Sequence, residues 1–191
     1  NRGSVKDKVK RANELAMRAA YEGKPFVVVI NYESARNNPF AKWAEGLMWD
    51  LLILDESHRI KSPSGKTSKW VRNRMRKSCR FRLALTGTPL PHSPMDIWSQ
   101  YFVLDPTLFG YSFTKFRSEY AVMGGYQNRE IKGFKRTDKM QRLMAQAMYR
   151  CDRSVLDLPD ATHQKRVVDL GKPARKVYDD LESDFCAQVK E

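Results

Sequence analysis

Between Ser57 and Met95 the chain has no Asp or Glu, although 22 acidic residues occur in its 191. The same interval holds Arg59, Lys61, Lys66, Lys69, Arg72, Arg74, Arg76, Lys77, Arg80 and Arg82. A field of one sign attracts polyanions, and phosphate backbones are the usual ones. A solvated basic helix face is the plainer reading of the same charges. Cysteine is scarce too: Cys79, Cys151 and Cys186 are odd in number, far apart and without a CxxC pair. That pattern argues against a disulfide framework or a zinc site and fits a reducing cytosol. The three His residues are too dispersed for a metal cluster. No apolar run approaches the ~20 residues of a membrane span, and the start lacks the charged-then-apolar layout of a signal peptide. The chain opens on Asn1-Arg2-Gly3-Ser4 rather than Met, so the expectation is an internal segment or a processed product.

What is present is enough for one α/β domain with a real core, since 41% of the residues are hydrophobic. Val5, Val9, Ala12, Ala16 and Ala19 recur at helical spacing and predict a helix over 5–22. Phe26 to Ile30 and Leu51 to Leu54 are unbroken apolar runs that read as buried strands, with a short helix between them over 34–46. A helix over 66–77 is expected to turn Trp70, Val71, Arg74 and Met75 inward. Phe81 to Thr86 reads as a third strand. Ser93-Pro94 supplies an N-cap and a first-turn proline for a helix through Ile97, Trp98, Tyr101 and Phe102. Strands alternating with helices predict a mainly parallel sheet covered on both faces. Beyond Asp105-Pro106 the pattern changes, with a hairpin over 120–134 around Gly124-Gly125 and a basic run from Arg129 to Arg142. Helices over 139–149 and 173–189 and a strand over 165–170 complete the reading.

Two segments carry chemistry. Leu51-Leu52-Ile53-Leu54-Asp55-Glu56-Ser57-His58 is an apolar strand ending in two adjacent carboxylates. In a parallel sheet that end is where ligands bind. One carboxylate can hold Mg2+ through water while the next polarises an attacking water. Leu83-Ala84-Leu85-Thr86-Gly87-Thr88-Pro89 is a second strand running into a small, hydroxyl-rich turn that can approach a phosphate. Alone it is also an ordinary turn.

Taken together these segments resemble motifs II and III of superfamily-two helicases, and specifically the Swi/Snf-like DNA translocases. Ile60-Lys61, Val29-Ile30-Asn31-Tyr32-Glu33, Pro94-Met95-Asp96-Ile97-Trp98-Ser99-Gln100, Leu104-Asp105-Pro106, Phe109-Gly110 and the segment from Tyr149 to Pro159 extend the likeness over roughly residues 25 to 185. The Pro91-His92-Ser93-Pro94 variant and Ala121 to Gly125 look most like phage and bacterial members, which implies a bacterial or phage-infected cytoplasm. The resemblance implies a partial RecA-like lobe, with 1–104 as its second half. Residues 105–150 would form a helical and hairpin insertion, and 151–191 the end of the lobe and the start of a linker. It also implies ATP and Mg2+ as cofactors and double-stranded DNA as partner, with no membrane. Asp55 is then the magnesium-associated carboxylate, Glu56 the base and His58 the residue that couples nucleotide state. Thr86, Gly87 and Thr88 link hydrolysis to DNA movement, and Lys61, Lys66, Thr67, Ser68, Lys69 and Arg72 meet the DNA backbone.

Ser64-Gly65-Lys66-Thr67-Ser68 imitates a phosphate loop, but the pattern needs glycine where Ile60 stands. It also needs a strand before the loop, and the segment follows the acidic box instead. No other G-x-x-x-x-G-K-[ST] occurs in the chain. The resemblance therefore places the phosphate loop before Asn1 and the second lobe beyond Glu191. The missing strand is expected to leave a sheet edge open at Arg82 to Thr86. The isolated chain is expected not to hydrolyse ATP, and the alternative is a non-catalytic DNA-binding or interaction fragment with a helicase-like shape.

Overall fold

The computed structural model describes residues 4–90, 92–151 and 164–188. They form two compact units, residues 1–149 and 150–191. In the first, α1 (Val5–Tyr21) starts on a capping box in which Ser4 and Asp7 satisfy each other's backbone amides. It is followed by the short helices α2 (Tyr32–Ala35) and α3 (Phe40–Glu45). Strand β1 (Trp49–Leu54) leads through a 3₁₀ turn, Ser57–Ile60, to α4 (Lys66–Asn73). Strand β2 (Cys79–Ala84) and the 3₁₀ turn Pro94–Asp96 then lead to α5 (Ile97–Leu104). Helices α6 (Pro106–Phe109) and α7 (Phe113–Tyr120), the hairpin β3 (Ala121–Gly124) and β4 (Glu130–Phe134), and α8 (Thr137–Ala145) complete this unit. The second unit contains α9 (Lys172–Gln188).

Strands β1 and β2 are parallel, with Leu51 opposite Phe81 and Ile53 opposite Leu83. The strand periodicity of two splits their apolar residues. Leu54 joins Ile60, Val71 and Val103 in a buried cluster, against which Tyr32, Leu52 and Trp70 pack. Leu51, Ile53, Phe81 and Leu83 stand on the opposite face and are 44–57% exposed. A sheet covered on both faces is therefore not what the described residues form: α4 and α5 cover one face only. The runs expected as strands at 26–30 and 165–170 pair with no strand among the described residues. Apolar composition favours extension, but a strand also needs a neighbour to take its backbone hydrogen bonds, and Val27 and Val29 stand largely exposed. Among the described residues β2 pairs with β1 alone.

The hairpin is as expected. Gly125 adopts φ +72°, a left-handed conformation that favours glycine in this turn. Ala44, Met75 and Cys79 form a second small cluster, and the largest of the three gathers Met95, Ile97, Trp98, Tyr101, Phe109, Phe116, Tyr120, Ala121, Met140 and Met144. It crosses the expected boundary at 104/105, so α5 shares one core with the elements that follow it. Most of the segment Tyr149 to Pro159 lies outside the described residues.

Candidate active site

The two expected turns meet because the parallel pairing continues past the strand ends. The Leu85 amide donates to the Leu54 carbonyl, and the Ser57 amide donates to the Leu85 carbonyl, each at 2.9 Å. That lacing brings the acidic turn against the threonine turn. Glu56 turns the chain sharply at φ +48°, a left-handed conformation that costs a non-glycine residue on the order of 1 kcal/mol. Its amide donates to Asp55 Oδ1 at 3.0 Å, which offsets part of that cost. Both carboxylates remain exposed.

His58 joins the turns directly. Its Nδ1 lies 3.1 Å from Glu56 Oε2 and 3.2 Å from Thr86 Oγ1. With a proton on Nδ1 the ring donates to the carboxylate or the hydroxyl; without it, Nδ1 accepts from the hydroxyl. Thr86 Oγ1 also accepts from the Thr88 amide at 3.1 Å, so the ring's partner on the second turn is itself held in place. Gly87 lies between them with open space where a Cβ would be.

The back of the site holds residues that the sequence did not single out for chemistry. The Tyr32 hydroxyl donates to the Asp55 carbonyl at 2.7 Å. Burial first, and then the negative charge of Asp55, push its phenol up to about 12, which keeps it a donor. Arg59 pairs with Glu33 and stands over the Tyr32 ring, 5.7 Å from its centroid. Gln100, 3% exposed, accepts from the hydroxyl of Ser57, itself 1% exposed, at 2.8 Å. It donates to the carbonyls of Pro89 and Asp96 at 2.7 and 3.0 Å. The signal for Gln100 was the polar pair Ser99-Gln100 inside the mostly apolar run of α5.

The basic interval divides. Lys66 and Lys69 are exposed on α4, with Lys61 and Thr67 partly so. Ser68 and Arg72 are buried, and both are withdrawn from the expected DNA-facing set. Ser68 Oγ donates to the Ile60 carbonyl at 2.9 Å. The Arg72 guanidinium lies 4.8 Å from the Trp98 ring centroid and donates to Ser99 Oγ and the Pro63 carbonyl. Burial lowers its pKa from the ordinary arginine value, and the ring faces and two acceptors compensate the cation in place. Arg82 is likewise spent on the Leu104 and Cys79 carbonyls.

No group of three or more His, Cys, Asp or Glu side chains suited to a metal ion occurs among the described residues. A cage built wholly of protein is thus absent there. One exposed carboxylate is what Mg2+ uses when water and phosphate oxygens fill the rest of its octahedron, and Asp55 fits that mode.

Comparison with known proteins fixes the ancestry. The SNF2-related domain family matches residues 4–191. The chain belongs to that family. This SNF2-related domain is 36% identical over 110 residues to the chromatin-remodeling ATPase INO80 of Schizosaccharomyces pombe, covering 56% of the chain and 6% of that protein. To the INO80 of Saccharomyces cerevisiae it is 36% identical over 86 residues, 44% of the chain and 5% of that protein. To that of Cryptococcus neoformans it is 35% identical over 89 residues, 46% and 5%. The chain thus spans about a twentieth of the length of these relatives. They are fungal proteins and give no support to the narrower likeness to phage and bacterial members, or to a bacterial or phage-infected host. No described helix is long and apolar enough to cross a membrane.

Proposed function

We propose that this SNF2-related domain is part of a motor that hydrolyses ATP to move on double-stranded DNA, with the acidic and threonine turns as its nucleotide end. The observation that carries the reading is His58, whose single nitrogen reaches Glu56 and Thr86 at once. In this reading Asp55 holds Mg2+ through water, and the ion neutralises phosphate charge. Glu56 accepts the proton of the attacking water; its carboxylate is exposed, with Oε2 held beside His58. His58 reports the state of Glu56 to Thr86, and Gly87 and Thr88 carry that report along the second turn. Lys61, Lys66, Thr67 and Lys69 meet phosphate oxygens of the duplex, an interaction set by charge rather than base sequence.

In the complete protein, Glu56→Gln is expected to abolish ATP hydrolysis while ATP binding persists. Undiminished hydrolysis overturns the assignment. A second reading applies to the 191 residues by themselves. With no G-x-x-x-x-G-K-[ST] among them, the isolated chain is expected to bind DNA without turning over ATP. Hydrolysis by the isolated chain, measured with and without DNA, rules that reading out.

A further inference from the structure

Gln100 belongs to neither turn, yet its carboxamide touches both. The orientation of that amide is determined by its surroundings. Two carbonyls, those of Pro89 and Asp96, face the nitrogen, and one hydroxyl, that of Ser57, faces the oxygen. Reversed, the amide would set its oxygen against two acceptors with no hydrogen between them. Ser57 is the residue between Glu56 and His58, and Pro89 closes the turn that begins at Thr86. The neighbouring side chains of α5 point to another part of the molecule: Ser99 and Trp98 hold Arg72 of the basic helix α4. Packing alone does not call for a glutamine here, because Met fills a similar volume and needs no partners. Three well-placed partners fix an orientation that packing leaves open.

We propose that Gln100 is a positioning residue that ties the acidic turn, the threonine turn and α5 into one unit, so that movement of Glu56 and His58 reaches α5 through Ser57 and Gln100, and the basic helix from there through Ser99, Trp98 and Arg72. The inference rests on the ATP-dependent reading above and adds the route by which the nucleotide end meets the DNA-facing helix. Gln100 and Ser57 touch no reacting atom in this account; they act through Glu56, His58 and Pro89.

The test is made in the complete protein with Gln100→Met, Ser57→Ala, the double variant and Ser57→Thr. For Gln100→Met, kcat of duplex-stimulated ATP hydrolysis falls about tenfold while KM for ATP and the affinity for duplex DNA stay within about twofold, the pattern of lost positioning rather than lost binding. Ser57→Ala gives a similar fall, and the double variant is no slower than the worse single one, because both remove the same link. Ser57→Thr keeps the hydroxyl and keeps the rate. An unchanged kcat in Gln100→Met, or losses that multiply in the double variant, overturn the proposal. If Gln100→Met does not fold, the contrast between Ser57→Ala and Ser57→Thr decides the matter in the same assay. If the wild-type protein does not hydrolyse ATP, the functional reading itself has failed. The link is then read from amide hydrogen exchange in this chain. Ser57→Ala should speed exchange at Thr88 about tenfold, and equal exchange in the two proteins overturns it.

Discussion

Around β1 and β2 the apolar side chains divide between two small buried clusters and an open sheet face. From Met95 to Met144 they close on one another in a single core rich in rings. Phe109 meets Phe116 and Tyr120 edge to face there, and those two rings tilt against each other, while the Tyr101 hydroxyl donates to the Met144 carbonyl to tie α8 down. The site-bearing half has fewer buried contacts and more directed ones: Tyr32 to Asp55, Ser57 to Gln100, His58 to Glu56 and Thr86. Hydrogen bonds of that kind contribute only about 1 kcal/mol each in net stability, but they fix angles, which the proposed function requires of this site. The difference suggests that stability and chemistry are drawn from separate parts of one compact unit, with α5 serving both.

Breaking that division where stability is drawn should have the largest effect. Phe116→Ala is expected to lower unfolding free energy by roughly 3–5 kcal/mol, measured by denaturant titration. A loss under about 1 kcal/mol would mean that this half is not the stabilising one. Arg72→Ala comes next, at roughly 2–4 kcal/mol from lost ring and hydrogen-bond contacts. Arg72→Lys should rescue little, since a lysine cannot reproduce the planar fork. A stable Arg72→Ala with weak DNA binding would return Arg72 to the DNA-facing set.

Tyr32→Phe, in the site-bearing half, should cost about 1 kcal/mol. It should also change the alkaline response. The folded phenol titrates at about 12 against an ordinary value of 10.0, so its contribution is complete below about pH 10 and is lost as pH rises through about 12. Burial raises Tyr101 and Tyr120 as well, so spectrophotometric titration should show the variant with one fewer late-titrating tyrosine than the wild type. The smallest effect on stability is expected from Lys66→Ala with Lys69→Ala, within about 0.5 kcal/mol. The same pair should weaken duplex DNA binding and flatten its salt dependence. Unchanged salt dependence would remove α4 from the DNA contacts.

Where the sequence was legible, a local rule and a tertiary partner agreed. Leu51 to Leu54 pairs with the strand after Ser78, and Gly124-Gly125 makes the hairpin turn that the flanking residues anticipate. Phe26 to Ile30 obeys the local rule and has no strand beside it among the described residues, and composition cannot supply a neighbour. Arg72 was readable in part. Ser68, Val71, Arg72 and Met75 lie on one helical stripe and are buried together, whereas a stripe drawn through Trp70 and Arg74 puts Arg72 outside. Asp55, Glu56, His58 and Thr86 come together at the ends of the paired strands. The roles of Tyr32 and Gln100 depend on distances between segments, which no local pattern encodes.

In the proposed function the acidic and threonine turns work as one device through His58. Duplex-stimulated ATP hydrolysis by the complete protein, compared for His58→Ala, Thr86→Val and the double variant, tests this most directly. Each single change should remove most of the stimulation, and the double variant should lose no more than the worse single one. Retained stimulation in His58→Ala, or two losses that multiply, would contradict it.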